Sequence, residues 1–448
     1  MSEVGKSFGL SGDARARLME KLRRTEEVRP GEAAGADEDF ENWRQMEVVR
    51  AASESLGIGN PFFQIHEGIA GAQTQIGGRP LLNFASYNYL DLNGHPRVNA
   101  AAIAAVEKYG TSGSGSRLMA GERPVHRALE KALADLHGTE DCISLVSGHA
   151  TNVTVIGCLL NKADLILCDA FSHNSILQGA QLSGARRLSF AHNDVAAAEQ
   201  LLAQHRARHK RAMLVIEGHY SMDGDIPDLP AFVALAKKYR AWLMVDEAHS
   251  VGVLGTAGRG IAEHFGIDPM QVDFWMGTLS KTLVGCGGYI ACRREAAEYL
   301  RYQASGSVYS VSMPPPIAAA SLAALELLRE ESQRVAALNA NGAYFLARAR
   351  AAGLDTGTSQ GFSIVPVILG SSILAARLAE ALLARGINAR PIIYPAVPER
   401  TARLRFFLSS AHTRAQIDQA VAVTAQVLGL LQAPQPGDVP AILSGESP

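Results

Sequence analysis

The stretch Ala212–His249, AMLVIEGHYSMDGDIPDLPAFVALAKKYRAWLMVDEAH, decides the fold. It holds two short apolar runs, AMLVIEG at 212–218 and WLMVDEA at 242–248, separated by a polar, glycine-punctuated loop and an Ala/Leu-bearing helical segment. Short uninterrupted apolar runs read as strands buried on both faces, and a helix between two of them makes the pair parallel. The same alternation spreads outward from about residue 96, where long Ala/Leu-rich helices alternate with CISLVSG, LILCDA, RLSFA, FWMGTLS and GYIAC. The sequence therefore predicts an α/β fold with a mostly parallel central sheet covered by helices. Ligands of such sheets bind at the carboxyl ends of strands. WLMVDEAH ends in an acid and an imidazole, which suits either the magnesium-holding strand of a helicase-like ATPase or a site for an organic cofactor.

Further out, the chain divides by composition. Residues 1–40 read as a flexible leader and linker, with helical propensity in DARARLMEKLRR (13–24) followed by a polar, acid-rich stretch. Residues 41–95 form an N-terminal segment with a helix over 41–56 and the strand and turn of PLLNFASYNYLDL. A large domain spans 96–340, and a smaller α/β domain spans 341–432, built from FSIVPVILG, SILAARLAEALLARG, INARPIIYP and ARLRFFLS. One long helix is expected over 317–353, after the proline run at Pro314, and residues 433–448 read as a disordered tail. With 448 residues, 47% hydrophobic and 19% charged, the chain can bury a large core, and its net charge of −2 offers no basic field for nucleic acid. No segment has the apolar length of a membrane span. Five cysteines without CxxC spacing give no metal site and read as reduced thiols of a cytoplasmic protein.

Four expected strand ends carry polar groups. LVSGHATN sets Ser147, Gly148 and His149 at the opening of a helix, where backbone N–H groups can face an anion; an N-cap by Ser147 explains the same residues. LCDAFSHNS places Asp169 and His173 after a strand, although an isolated loop histidine is ordinarily a solvated polar residue. EGHYSMDGD supplies Glu217, Ser221 and Asp223 in a loop that turn chemistry alone would account for. Asp246 and His249 close WLMVDEAH. The fifth feature breaks the tie: FWMGTLSKTLVGCGGY sets Lys281 in an almost uncharged stretch, and lysine is rarely buried without a purpose. Desolvation lowers its pKa and frees the amine to form an imine with an aldehyde. A strand-end aspartate upstream is what pyridoxal 5′-phosphate requires to keep its pyridine nitrogen protonated. The ATPase alternative needs GxxxxGK[ST] before the acid strand. The nearest match, GTLSKT, has Ser280 before Lys281 and lies downstream.

In order and spacing, SYNYLDL, YGTSGSGSRLMAG, SGHATN, EGHYSMDGDIPDL, DEAHSVGVLG, GTLSKTLVGCGGY, YSVSMPPP and ARLRFFLS resemble the α-oxoamine synthases over about residues 45–430. These are pyridoxal-phosphate enzymes of the fold-type I, aminotransferase-like class, with a large domain around a mostly parallel sheet and a smaller C-terminal α/β domain. The resemblance implies that Lys281 carries the cofactor, Asp246 faces its pyridine nitrogen, His173 stacks on its ring and His249 binds its phenolic oxygen, assisted by Ser221. It further implies a cofactor site that includes Ser147 and Glu217, with phosphate contacts from Gly148, His149, Thr278 and Ser280, and from Ser310 of a neighbouring subunit. Arg405 matches an arginine that grips the substrate carboxylate, and Asn88 a substrate-side contact from the partner chain. The family's sites form between two subunits, so a homodimer is expected. No metal is implied.

Two positions depart from the family pattern: His149 stands where many relatives have Phe or Tyr, and Val311 replaces a common hydroxyl residue. The implied reaction is a decarboxylative condensation of a small amino acid (glycine, alanine or serine) with an acyl thioester on coenzyme A or an acyl carrier protein, in secondary-metabolite or lipid biosynthesis. TSGSGSRLMAGERPVHRALE looks closer to serine palmitoyltransferase and to synthase domains of polyketide assembly lines than to the aminolevulinate and ketobutyrate branches. The alternatives are an 8-amino-7-oxononanoate synthase of biotin biosynthesis and an aminotransferase. The sequence assigns no role to Glu247.

Overall fold

The computed structural model describes residues 59–433 except 395 and 399, together with Glu47 and Arg50. The expected leader 1–40, its helix, and nearly all of the helix at 41–56 and of the tail 433–448 lie outside the described residues.

The first strands are β1 (Gln73–Ile76) and β2 (Arg79–Asn83), an antiparallel hairpin whose Gly77 and Gly78 both take positive φ (57° and 71°), as a two-residue hairpin turn demands. Helices α1 (Pro96–Tyr109) and α2 (Pro124–His137) each begin at a proline, whose fixed φ suits a first helical turn. Strands and helices then alternate: β3 (Asp141–Leu145), α3 (Gly148–Leu159), β4 (Leu165–Asp169), α4 (Asn174–Ser183), β5 (Arg186–Phe190), α5 (Val195–His205), β6 (Ala212–Glu217), α6 (Leu229–Tyr239), β7 (Trp242–Asp246), β8 (Phe274–Thr278) and β9 (Gly288–Cys292). They form a seven-stranded sheet in the order β3-β9-β8-β7-β6-β4-β5. Its strands β8, β7, β6, β4 and β5 pair in parallel, while β9 runs antiparallel to both β3 and β8. The carboxyl ends of β4, β6, β7 and β8 therefore share one edge, with Glu217 opposite Asp246 in the register.

The uninterrupted apolar runs have a packing explanation. Along β6, Met213 and Val215 join one buried cluster with Met244 and Met276, whereas Leu214 and Ile216 join a second with Leu243 and Trp275. Both faces of the sheet are thus dry, and a strand with no solvent face has no place for polar alternation.

Helices α7 (Arg294–Gln303), α8 (Pro315–Glu330) and α9 (Gln333–Ala351) lead to β10 (Ile364–Gly370), α10 (Ser372–Ala384), β11 (Ile387–Asn388), β12 (Arg390–Ile392), β13 (Ala402–Phe407) and α11 (Arg414–Gln432). The single helix expected over 317–353 is in fact two, broken at Glu331 (φ −119°, ψ 52°). No Gly or Pro marks the break. Its cause is tertiary: α8 packs on α1 and α2, α9 packs on α11, and Arg334 turns the corner by pairing with Glu331 and donating to the Leu90 carbonyl. Strands β10, β13 and β12 form a small antiparallel sheet, and β11 pairs in parallel with β2, so residues 73–83 are stitched to the C-terminal part of the chain. Among the described residues no helix is long and apolar enough to cross a membrane.

Candidate active site

Lys281 leaves the sheet edge on the loop between β8 and β9, which a backbone hydrogen bond from Leu279 N–H to the Gly287 carbonyl (2.9 Å) closes. Its ammonium makes no hydrogen bond among the described residues and sits 5.7 Å from the centre of the Tyr87 ring. Desolvation lowers its pKa to about 8 against the pull of Asp246 and Glu217, and Arg405 adds to the lowering. The amine therefore has an appreciable neutral fraction near neutral pH. Asp246, the buried last residue of β7, accepts from Asn152 Nδ2 (2.9 Å) and from the Ala248 amide (2.9 Å). These donors fix the carboxylate at the mouth of the sheet.

His173 caps α4, and a chain of hydrogen bonds runs from its ring to Asp246. Its Nδ1 meets Ser175 Oγ at 2.7 Å, Asn152 Nδ2 donates to the same oxygen at 3.0 Å, and Asn152 also donates to Asp246. The His173 backbone N–H donates to Glu217 Oε1 (2.6 Å), so the acid at the end of β6 holds the loop that follows β4. Burial lowers the His173 pKa, and burial together with the Lys281 and Arg405 cations lowers that of His249 further. Both rings are neutral at pH 7. His249 Nδ1 meets the Tyr89 hydroxyl at 2.8 Å, and its ring lies parallel to Phe407 (5°, 6.5 Å). Burial raises the Glu217 carboxyl well above its ordinary range, with the neighbouring Asp246 charge adding to the rise.

Arg405 stands on β13 and is 9% exposed. It donates to the Ser221 carbonyl (2.9 Å) and lies 4.5 Å from the centre of the Phe407 ring, but it has no carboxylate partner among the described residues, and its Nε has no acceptor. Arg403, two residues earlier on the same strand, pairs with Asp223 at 2.6 Å. A buried guanidinium without an anion is costly unless a ligand supplies one. On the opposite side, Ser147 caps α3 by accepting from the Ala150 amide (2.9 Å), which leaves the Gly148 and His149 amides at the helix N-terminus without acceptors among the described residues. Thr278 Oγ1 approaches them: a Cβ on Gly148 would lie 2.9 Å from it. Thr278 also donates to the Gly287 carbonyl (3.0 Å) and lies 3.2 Å from Ser280 Oγ. Free amides, two hydroxyls and the helix dipole make an anion cradle.

The structure thus brings Lys281, Asp246, His173, His249, Glu217 and Arg405 to one edge, with Ser221 turning its carbonyl to Arg405. Ser310 is not gathered with them in this chain; among the described residues its hydroxyl meets only the neighbouring Val311 carbonyl (3.2 Å). Asn88 is buried; its side-chain oxygen accepts from the Leu92 (2.9 Å) and Asn93 (3.1 Å) amides of its own turn, and its Nδ2 donates to the Ala70 carbonyl (3.4 Å). Its neighbours Tyr87 and Tyr89 reach the site within this chain. Those tyrosines, Ser175 and Asn152 escape sequence reasoning; only Asn152 left a signal, four residues along the helix from Gly148 and so on the same face. Glu247, adjacent to Asp246, turns the other way: it accepts from Ser250 Oγ and from the Ile261 amide (3.1 Å), capping the short helix Ile261–Phe265, and burial raises its pKa to about 8.

These residues fit a phosphorylated pyridine aldehyde: a cradle for its phosphate, a carboxylate for its nitrogen, neutral rings for its faces, and an amine of reduced basicity. The sequence model of the aminotransferase class I and II family matches residues 79–423. An 8-amino-7-oxononanoate synthase of Thermoanaerobacter pseudethanolicus is 37% identical over 355 residues, covering 79% of this chain and 89% of that protein. The 4-hydroxy-2,2′-bipyrrole-5-methanol synthase PigH of Serratia sp. is 38% identical over 345 residues, 77% of this chain and 52% of that protein. A solved lysine-to-alanine variant of serine palmitoyltransferase from S. paucimobilis, with a bound PLP–myriocin aldimine, aligns at a TM-score of 0.84 and 30% identity, covering 88% of this chain and 99% of that one.

Proposed function

The chain belongs to the aminotransferase class I and II family, among its PLP-dependent α-oxoamine synthases, and from that premise we propose that it condenses glycine, alanine or serine with an acyl thioester, releasing carbon dioxide, a free thiol and an α-amino ketone. It is a PLP-dependent C-acyltransferase of fold-type I. The observation that carries the choice of substrate is Arg405, a buried cation without a counter-ion among the described residues, beside an amine of lowered pKa.

Pyridoxal phosphate, when bound, supplies a carbonyl carbon for amines and a ring that takes up an electron pair. Gly148, His149, Thr278 and Ser280 would hold its phosphate, Asp246 would keep a proton on its ring nitrogen, and His173 and His249 would face its ring and its phenolic oxygen. Arg405 binds the carboxylate of the incoming amino acid and orients it, as a guanidinium fork does. Lys281 Nζ, neutral in part at working pH, takes the proton from Cα and returns it to the product; a positioned base of this kind contributes about 10²–10⁴-fold in rate. Lys281→Ala should therefore lower turnover by at least about 100-fold and abolish the lysine imine band of the loaded protein in the absence of added amino acid. A variant that keeps both would exclude Lys281 from the role.

The deciding measurement is a titration of cofactor-loaded protein with glycine, L-alanine and L-serine, followed by product mass analysis with acyl-coenzyme A and acyl-carrier-protein thioesters. Carbon dioxide and an amino ketone are expected. A keto acid without carbon dioxide would instead make the enzyme an aminotransferase. Either thioester suits the reading, as does secondary-metabolite or lipid biosynthesis in the cytoplasm. A homodimer is supported by Leu118, Met119, Tyr309 and Val311, large exposed apolar side chains on two segments joined by the Ser116–Val311 bridge next to Ser310.

A further inference from the structure

His192 lies in the turn after β5, outside the groups described so far, and its side chain is 16% exposed. Its Nδ1 is 2.9 Å from Asp169 Oδ1 and its Nε2 is 2.9 Å from Asp225 Oδ2. Neutral imidazole has one N–H, so carboxylates on both ring nitrogens call for the imidazolium. Phe171 stacks on the ring at 4.3 Å and Tyr220 meets it edge-on at 4.5 Å. Asn193 doubles the connection, giving its backbone N–H to Asp169 (2.8 Å) and its side-chain amide to Asp225 (3.1 Å).

The two acids belong to different parts of the site. Asp169 ends β4 and accepts from the Phe171 amide (2.8 Å), shaping the turn that delivers His173. Asp225 closes a second turn, its carbonyl accepting from Tyr220 N–H (2.9 Å), and within that turn the Ser221 and Met222 carbonyls hold Arg405 and Arg403. We propose that His192 is a positioning residue: as an imidazolium it ties the turn carrying His173 to the turn holding Arg405, keeping the stacking side and the carboxylate-gripping side of the site in register. For its effect on substrate this rests on the reading of Arg405 given above. The titratable groups facing the ring are Asp169, Asp225 and Tyr220. Burial alone lowers the imidazole pKa, but the hydrogen bonds to Asp169 and Asp225 overcome burial and raise it to about 10.

The test uses full-length, PLP-loaded protein. Nitrogen NMR at pH 8 should show both His192 ring nitrogens protonated, and Asp225→Asn, which keeps an acceptor but removes a charge, should shift the titration downward. In His192→Gln, backbone amide exchange should rise about tenfold or more in both turns, 170–173 and 218–226, and the half-saturating concentration of the best of the three amino acids should rise by a similar factor. A neutral ring at pH 8, or exchange unchanged in both turns, overturns the clamp. Should His192→Gln fail to fold, the NMR readouts on the parent and Asp225→Asn still decide. Arg405→Ala is the separate control: if it leaves amino-acid half-saturation unchanged, the reading of Arg405 fails, while the NMR and exchange data judge the clamp independently.

Discussion

Two arginines two positions apart on β13 have opposite fates, because Asp223 neutralises Arg403 and no acidic side chain among the described residues does so for Arg405. A charge-assisted hydrogen bond contributes about 1.5–3 kcal/mol, so Arg405→Ala should raise amino-acid half-saturation about 10- to 100-fold with little loss of stability. Arg403→Ala should show the reverse, since it strands Asp223; thermal melts and substrate titrations of the two variants together separate the roles. Glu247 gives a pH prediction. Its pKa rises on folding to about 8 from an ordinary carboxylate value, so the native state takes up a proton. Its contribution to stability is whole below about pH 4.5 and is lost progressively as pH rises through 8. Glu247→Gln, neutral at every pH and still able to accept from the Ile261 amide, should flatten that part of the stability–pH curve measured by denaturant unfolding. A curve of unchanged slope would mean that Glu247 is ionised in the native protein.

At the level of elements, the site depends on how closely α3 sits on the antiparallel strand β9. A Cβ on Gly288 would lie 2.7 Å from Gly148 Cα and 2.9 Å from Gly148 N, both backbone atoms that cannot swing aside. Gly288→Ala should lower stability by about 1–3 kcal/mol, as overpacking does, and should weaken phosphate binding more than amino-acid binding, which equilibrium dialysis of PLP would measure. A variant that melts lower yet retains PLP at parental affinity would detach α3 from the cradle. Element identity was legible in the sequence wherever an apolar run was short and bounded, as at β6 and β7. The break between α8 and α9 was not, because neither Gly nor Pro stands there and Ser332, a residue type favoured at helix starts, makes no side-chain cap, so the two different packing surfaces separate the helices.

For the whole molecule, the exposed apolar side chains Met119 and Tyr309 flank Ser310 without being part of the described site. Sedimentation at micromolar concentration should give a dimer, and Met119→Lys combined with Tyr309→Lys should yield a folded monomer that has lost at least about tenfold in activity. A fully active monomer would remove the shared-site reading. The apolar strand runs, the anion-ready SGH turn and the solitary lysine by themselves determined the parallel sheet and the cofactor chemistry, because burial of a strand and desolvation of an amine follow from local composition. Only the tertiary structure decided the partners. It brought Tyr87 and Tyr89 to the site, gave Asp246 a donor in Asn152, left Arg405 without a carboxylate among the described residues beside a paired Arg403, and set His192 between Asp169 and Asp225. Contacts between residues dozens to hundreds of positions apart depend on how the loops at the sheet edge pack together, and no local pattern encodes that packing.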